Sequence, residues 1–142
     1  MKKLVYKIWI TNEIYLIKET ITTFSSLIYP KLFRWENVNV YVNNEVITFN
    51  QFKGCALFLT DISFNKAKIT KDDGNVVKLD KILEICTNVK NFECFLSNDV
   101  SMINASTIKN LCKLKNFQQI EKFSLNGIPE VFNIEDIATF IK

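Results

Sequence analysis

The chain has 142 residues, with 18 basic and 15 acidic side chains, no histidine and a hydrophobic fraction of 48%. That length suits one domain able to bury roughly 68–70% of its unfolded surface. The missing histidine removes the commonest general base and metal ligand. A single arginine, Arg34, among many lysines argues against a dedicated phosphate or base reader.

Taken in chain order, Leu4–Ile10 (LVYKIWI) is rich in β-branched and aromatic residues and predicts a strand. Ile14, Ile17, Ile21, Phe24 and Ile28 then fall at alternating steps of three and four. This predicts one amphipathic helix of about four turns, ending before Pro30. Val38, Val40 and Val42 alternate with Asn39 and Tyr41, as in a half-buried strand. Asn43-Asn44 supplies a turn, and Val46–Phe49 predicts a short returning strand. Ala56–Phe64 (ALFLTDISF) is nearly continuously apolar and predicts the next strand. Lys71–Asn75 (KDDGN) is a turn, since it lacks the alternating oxygen ligands and closing glutamate of a calcium loop.

From there the order is regular. Leu79, Ile82, Leu83 and Cys86 make a helical face, and Phe92–Leu96 a strand. Ile108, Leu111 and Cys112 make a second helical face, and Glu121–Leu125 a second strand. Asn126–Pro129 turns into a closing helix with Ile134, Ile137, Ala138 and Ile141 on one face and Asn133 as its N-cap. Val89-x-x-Phe92-x-x-Phe95 and Ile120-x-x-Phe123-x-Leu125 align at an offset of about 31 residues, each behind a helix. One strand and one helix per 20–45 residues is the pattern of α/β solenoids. The expected fold is therefore α/β: an irregular leucine-rich-repeat-like solenoid with a mostly parallel curved sheet and helices on one side. An ordinary α/β sandwich around a parallel sheet fits the same alternation.

Chemistry is sparse. Asp72/Asp73 and Glu135/Asp136 are the adjacent carboxylate pairs, and turn or capping roles account for both. No glycine-rich phosphate loop or nucleophile elbow occurs among three glycines, so neither an enzyme nor a cofactor is expected. Cysteines stand at 55, 86, 94 and 112, with no C-x-x-C; zinc would need all four as thiolates at unusual spacing. Two fall on predicted helical faces and two in strand-like runs, as buried free thiols of a reducing compartment would. The basic, apolar start MKKLVYKIWI is interrupted by Lys7 and lacks a small-residue cleavage site, and no apolar run approaches the ~20 residues of a membrane span. The expected location is therefore cytoplasmic or nuclear. Trp9, Phe33, Arg34, Trp35 and Tyr41 form the best aromatic-basic cluster, the basis of an alternative nucleic-acid-binding reading. Core packing explains aromatics at strand-like spacing equally well. Asn104-Ala105-Ser106 is a formal glycosylation sequon of the kind an asparagine-rich chain contains by chance.

Phe117–Lys142 (FQQIEKFSLNGIPEVFNIEDIATFIK), preceded by Ser106–Leu111 (STIKNL), resembles the C-terminal ends of nematode F-box proteins. The shared features are the apolar strand Glu121–Leu125, then Ile128-Pro129-Glu130-x-Phe132, then an amphipathic segment ending Phe140-Ile141-Lys142. Leu79–Phe92 (LDKILEICTNVKNF) also suits such a region. Asn133 departs from the acidic residue more usual there. The resemblance implies a non-catalytic, leucine-rich-repeat-like module that holds a protein substrate for a ubiquitin ligase. No F-box is found near the N-terminus, where one helix stands in place of about three, so no adaptor contact is expected. The 142 residues then read as a single domain, either a piece of a longer receptor or an independent binding module. Its partner would meet polar strand positions: Thr60, Asp61, Glu93, Ser97, Lys122 and Ser124.

Overall fold

The sheet is built in chain order. The computed structural model describes residues 8–24, 26, 32–97 and 99–128, with the backbone alone at 8–14 and 32–36. Its elements are β1 (Ile8–Leu16), α1 (Lys18–Thr23), β2 (Leu32–Asn43), β3 (Val46–Thr48), α2 (Phe49–Ala56) and β4 (Asp61–Asn65). Then come β5 (Lys68–Thr70), α3 (Leu79–Glu84), β6 (Asn91–Phe95), α4 (Ala105–Lys113), a 3-10 helix (Lys115–Gln119) and β7 (Lys122–Asn126). Five strands form one parallel sheet in the order β1-β2-β4-β6-β7, and β3 pairs with β5, also in parallel, in a second sheet. The fold is thus α/β around a mostly parallel sheet.

Alternation decides which face is buried. Leu16, Val38, Val40, Val42, Ile62, Phe64, Phe92 and Cys94 point inward, and they share one core with Ile21 of α1, Phe52 and Cys55 of α2, Leu79, Ile82 and Leu83 of α3, and Leu111 of α4. Phenylalanine rings run across this core in contact. Phe52 meets Phe64 at 6.0 Å between centroids, Phe64 meets Phe92 at 6.1 Å, Phe92 stacks on Phe123 at 5.2 Å, and Phe117 abuts Phe123 at 5.4 Å. Each such pair adds about 0.5–1.5 kcal/mol beyond the area it buries. Much of the phenylalanine content is therefore structural.

Several sequence expectations hold. Val38, Val40 and Val42 are buried in β2, and Leu79, Ile82, Leu83 and Cys86 line the core around α3. The offset of 31 is the register between β6 and β7, which pairs Phe92 with Phe123; β4 and β6 pair at 30. Within that register Cys94, not Phe95, is the counterpart of Leu125.

Others are corrected. The helix expected from Ile14 starts only at Lys18: Ile14–Leu16 belong to β1, paired with Val38–Val40. Pairing with β2 captures that segment, and Ile17, extended at φ −114° and ψ 172°, ends it. Val46–Thr48 does not return along β2 but opens the second sheet beside β5. The strand expected at Ala56–Phe64 is a helix end, a turn and then β4. A capping box sets α2 in place: Thr48 Oγ1 accepts from the Gln51 N–H, and Gln51 Oε1 accepts from the Thr48 N–H, both at 3.2 Å. Cys55 therefore sits in a helix. Asn104 of the sequon caps α4, its Oδ1 accepting from the N–H groups of Ser106 and Thr107. Leu4–Lys7, Ile28 and the closing helix Ile134–Ile141 lie outside the described residues.

Four of the five strands of the main sheet, β2, β4, β6 and β7, are followed by left-handed backbone. Asn44, Lys66 and Ser97 take positive φ of 53°, 53° and 57° after β2, β4 and β6, and Gly127 takes φ +79° after β7. A Cβ on Gly127 would stand 2.9 Å from the Ser97 backbone nitrogen, whereas one on Gly74 (φ +85°) would meet nothing within 4 Å. Gly127→Ala should therefore cost about 2 kcal/mol or more, and Gly74→Ala about 1 kcal/mol, in urea denaturation. Equal losses would mean that the Ser97 contact gives way without cost.

Candidate functional site

Among the described residues the second face of the sheet is open. No described helix or strand covers it, and it exposes Tyr15 (64%), Tyr41 (43%) and Phe95 (40%). Register arranges its side chains in rows across the strands. Tyr15, Asn39, Asp61, Asn91 and Lys122 form the first; Tyr41, Ser63, Glu93 and Ser124 the second; Asn43, Asn65, Phe95 and Asn126 the third. Two shallow depressions follow these rows. One of ≈ 340 Å³ lies between Tyr15, Ile17, Tyr41 and the carboxylates Asp61 and Glu93. The other, ≈ 440 Å³, lies toward Phe95 and Asn126.

Polar ladders hold this face in shape. Asn91 Nδ2 donates to Asp61 Oδ1 at 2.5 Å, Asn65 Nδ2 donates to Asn43 Oδ1 at 3.0 Å, and Asn126 Nδ2 donates to Ser124 Oγ at 3.0 Å. Side chains fixed in this way lose less entropy when a partner lands on them.

The six residues singled out from sequence divide. Asp61, Glu93, Lys122 and Ser124 do share the open face, in its first two rows. Thr60 does not: it is buried just before β4, where its Oγ1 accepts from the Val38 N–H at 3.1 Å and donates to the Val38 carbonyl at 3.3 Å. That hydroxyl ties the approach to β4 to the middle of β2. Ser97 sits past the strand ends, lining a separate cavity of ≈ 390 Å³ with Asn44, Lys66, Lys68 and Asp99. Tyr15 and Phe95 were missed as surface residues, whereas Tyr41 already alternated out of phase with three valines and belonged to the aromatic-basic cluster. Of the aromatic-basic cluster, the backbone register sets Trp9 beside Arg34 and Trp35 beside Ile10, with Tyr41 further along β2.

The thiols are free, and only Cys112 is exposed, against its expected place on the apolar face of α4. Burial pushes Cys55 and Cys94 up to about 12 and raises Cys86 as well. Thiols held protonated in this way are poor nucleophiles. At the strand-end cavity, the ion pair with Lys68 and the Ser101 N–H hold Asp99 down at about 2. Among the described residues no group of three or more His, Cys, Asp or Glu is placed to hold a metal ion, and no helix is long and apolar enough to cross a membrane. No protein-family model, curated protein or solved structure matches the chain.

Two measurements test these environments. A thiol reagent at pH 8 should label one cysteine rapidly in the native protein, Cys112, and all four after denaturation; fast labelling of Cys55, Cys86 or Cys94 would contradict their burial. Asp99 titrates lower folded than at its ordinary 3.8, so its stabilisation is complete above 3.8 and is lost as pH falls toward 2. Because the Lys68–Asp99 pair is solvent-screened, Asp99→Asn should cost at most about 1 kcal/mol at pH 7. That difference should vanish near pH 2 in urea titrations.

Proposed function

We propose that this chain is a non-catalytic protein-recognition module of leucine-rich-repeat-like build, which receives its partner on the open face of the parallel sheet. The observation that carries this reading is that no described helix or strand covers this face. All-parallel sheets are almost always covered on both faces. One left open, with tyrosines, a phenylalanine and fixed amides in register, has the composition of a protein-binding surface. Tyrosine offers a large contact area for little lost freedom, and the rows repeat it against polar neighbours.

The solenoid reading draws support from the strictly sequential strand order and from the offsets of 30 and 31 residues between the last paired strands. Helices that return along one side of such a sheet leave its strands free on the other. Under the resemblance to F-box proteins, the face is the substrate-holding part of a ubiquitin-ligase receptor in the cytoplasm or nucleus, and the adaptor is held elsewhere. Asp61, Glu93, Lys122 and Ser124 give the face its polar specificity, and Tyr15 and Tyr41 its contact area. The two carboxylates against one lysine make it a poor seat for a phosphate backbone, which disfavours the nucleic-acid alternative.

Affinity capture of the tagged chain from cells that express it, at about 50 and 200 mM salt, tests this reading. A discrete protein should be retained at both salt levels. It should fall about tenfold or more with Tyr41→Ala/Glu93→Lys, whose thermal stability should stay within a few degrees of wild type. Recovery of nucleic acid that is lost at high salt, or a partner indifferent to the face variant, would overturn it.

A further inference from the structure

On the opposite side of the molecule, four lysines converge on one apolar cleft. The cleft, ≈ 400 Å³, is lined by Lys53 of α2, Lys71 of the turn after β5, Lys78 and Lys81 at α3, and by Phe49, Val76 and Ile85. Those three apolar side chains are half-buried and pack on the core, so they form a floor. One carboxylate, Glu84, shares the lining, paired with Lys81 at 3.5 Å.

Three further acids, Asp72, Asp73 and Asp80, stand outside the lining, and the Asn75 N–H and, more weakly, the charge of Lys71 hold the Asp73 carboxyl below its ordinary value. Asp72 accepts a hydrogen bond from Asn50, and Asp73 is engaged by the Asn75 N–H at 2.9 Å. Asp80 is buried and accepts from Asn110 on α4 at 3.0 Å. Lys78 is held in place by donating to the Ser101 carbonyl. Lys53 lies 4.6 Å from the centre of the Phe49 ring, which spreads its stem along the floor. Neither Lys53 nor Lys71 has an acidic group within ion-pair distance among the described residues. The lining itself is thus an apolar floor with four lysines and one carboxylate around it.

We infer that this cleft binds an acidic peptide segment carrying a bulky apolar side chain, separately from the open face. The apolar side chain fills the floor between Phe49, Val76 and Ile85, and flanking carboxylates meet the lysine rim. Charge complementarity selects the sign of the occupant. The apolar floor selects a peptide over a polyphosphate, which has nothing apolar to place there. A lysine rim without arginine forks likewise lacks the bidentate geometry that phosphate readers favour.

The test is fluorescence anisotropy with a labelled peptide of glutamates interrupted by leucine and phenylalanine. Polyglutamate and a DNA oligonucleotide of equal charge serve as comparison ligands. Saturable binding of the mixed peptide is expected, weakened about tenfold by Lys53→Glu/Lys71→Glu. It should change less than about twofold with Lys109→Glu/Lys113→Glu on α4, or with the open-face variant Tyr41→Ala/Glu93→Lys. No saturable binding, equal loss in both lysine pairs, or equal affinity for polyglutamate would overturn the proposal. An oligonucleotide bound as tightly as the peptide would also overturn it, in favour of a polyanion site.

Discussion

Because parallel pairing holds Asp61, Asn91 and Lys122 side by side, every crossover between them must carry the chain back to the same end of the sheet. Strands added one after another in a single direction, with crossovers of the usual hand, send those returns along one side. The inward residues of β2, β4 and β6 then have one partner layer, the helices, and the core forms there. Fully burying a Val, Ile or Phe contributes about 1.5–3 kcal/mol each, so the inward rows outweigh most other terms. The ring contacts from Phe52 to Phe117 follow directly. Rows in register bring Phe92 against Phe123, and the helices supply Phe52 from one side.

The same constraint leaves the outward rows without a cover among the described residues, and their chemistry differs accordingly. Asparagines, serines and acids alternate with two tyrosines and a phenylalanine. The amides bond to their neighbours across the strands rather than to distant elements. A fully apolar outward row would invite aggregation through the sheet face. Side chains that satisfy one another keep the face ordered and wettable, and leave aromatic area for a partner. Behind the helices the chemistry changes again: lysine ammoniums crowd a small apolar floor, and the amide ladders are absent. The two surfaces thus differ in both charge and shape.

Much of the architecture was legible because inward residues repeat with the period of their element. The alternating valines of β2 and the face of α3 could be read from spacing alone, as could Ile108 and Leu111 of α4 but not Cys112, which is exposed. The failures have specific causes. Ile14, Ile17, Ile21 and Phe24 satisfy a helical period, yet Ile14 pairs with Val38, and long-range pairing outweighed local periodicity. Ala56–Phe64 is apolar throughout, and such a run does not distinguish a buried strand from a helix end. The deciding signal lay upstream, in the Thr48-x-x-Gln51 capping box, followed by Phe52, Cys55 and Ala56 at helical spacing. Of the open-face residues, Asp61, Glu93, Lys122 and Ser124 were legible as polar positions in apolar strands. Thr60 looked the same, but its hydroxyl faces the Val38 backbone, and sequence spacing carries no information about that.

Glycine scarcity bears on how the strand ends are built. Left-handed backbone costs a non-glycine residue about 1–2 kcal/mol, and this chain accepts that cost at Asn44, Lys66 and Ser97. Nearby N–H groups offset it by continuing the ladder: Asn44 N–H donates to Asn65 O, Lys66 N–H to Phe95 O, and Leu96 N–H to Asn126 O. Each bond ties one strand end to the next; Asn44, Lys66 and Gly127 stand at one register position, and Ser97 one residue beyond it. Asparagine tolerates this conformation best of the three, since its short polar side chain can bond locally. Lysine and serine are held there by the ladder. At Gly127 tolerance ends, because a side chain there would meet the Ser97 backbone. Gly127 therefore stands where sterics require it, and at Asn44, Lys66 and Ser97 the neighbouring ladder bonds support the strained conformation.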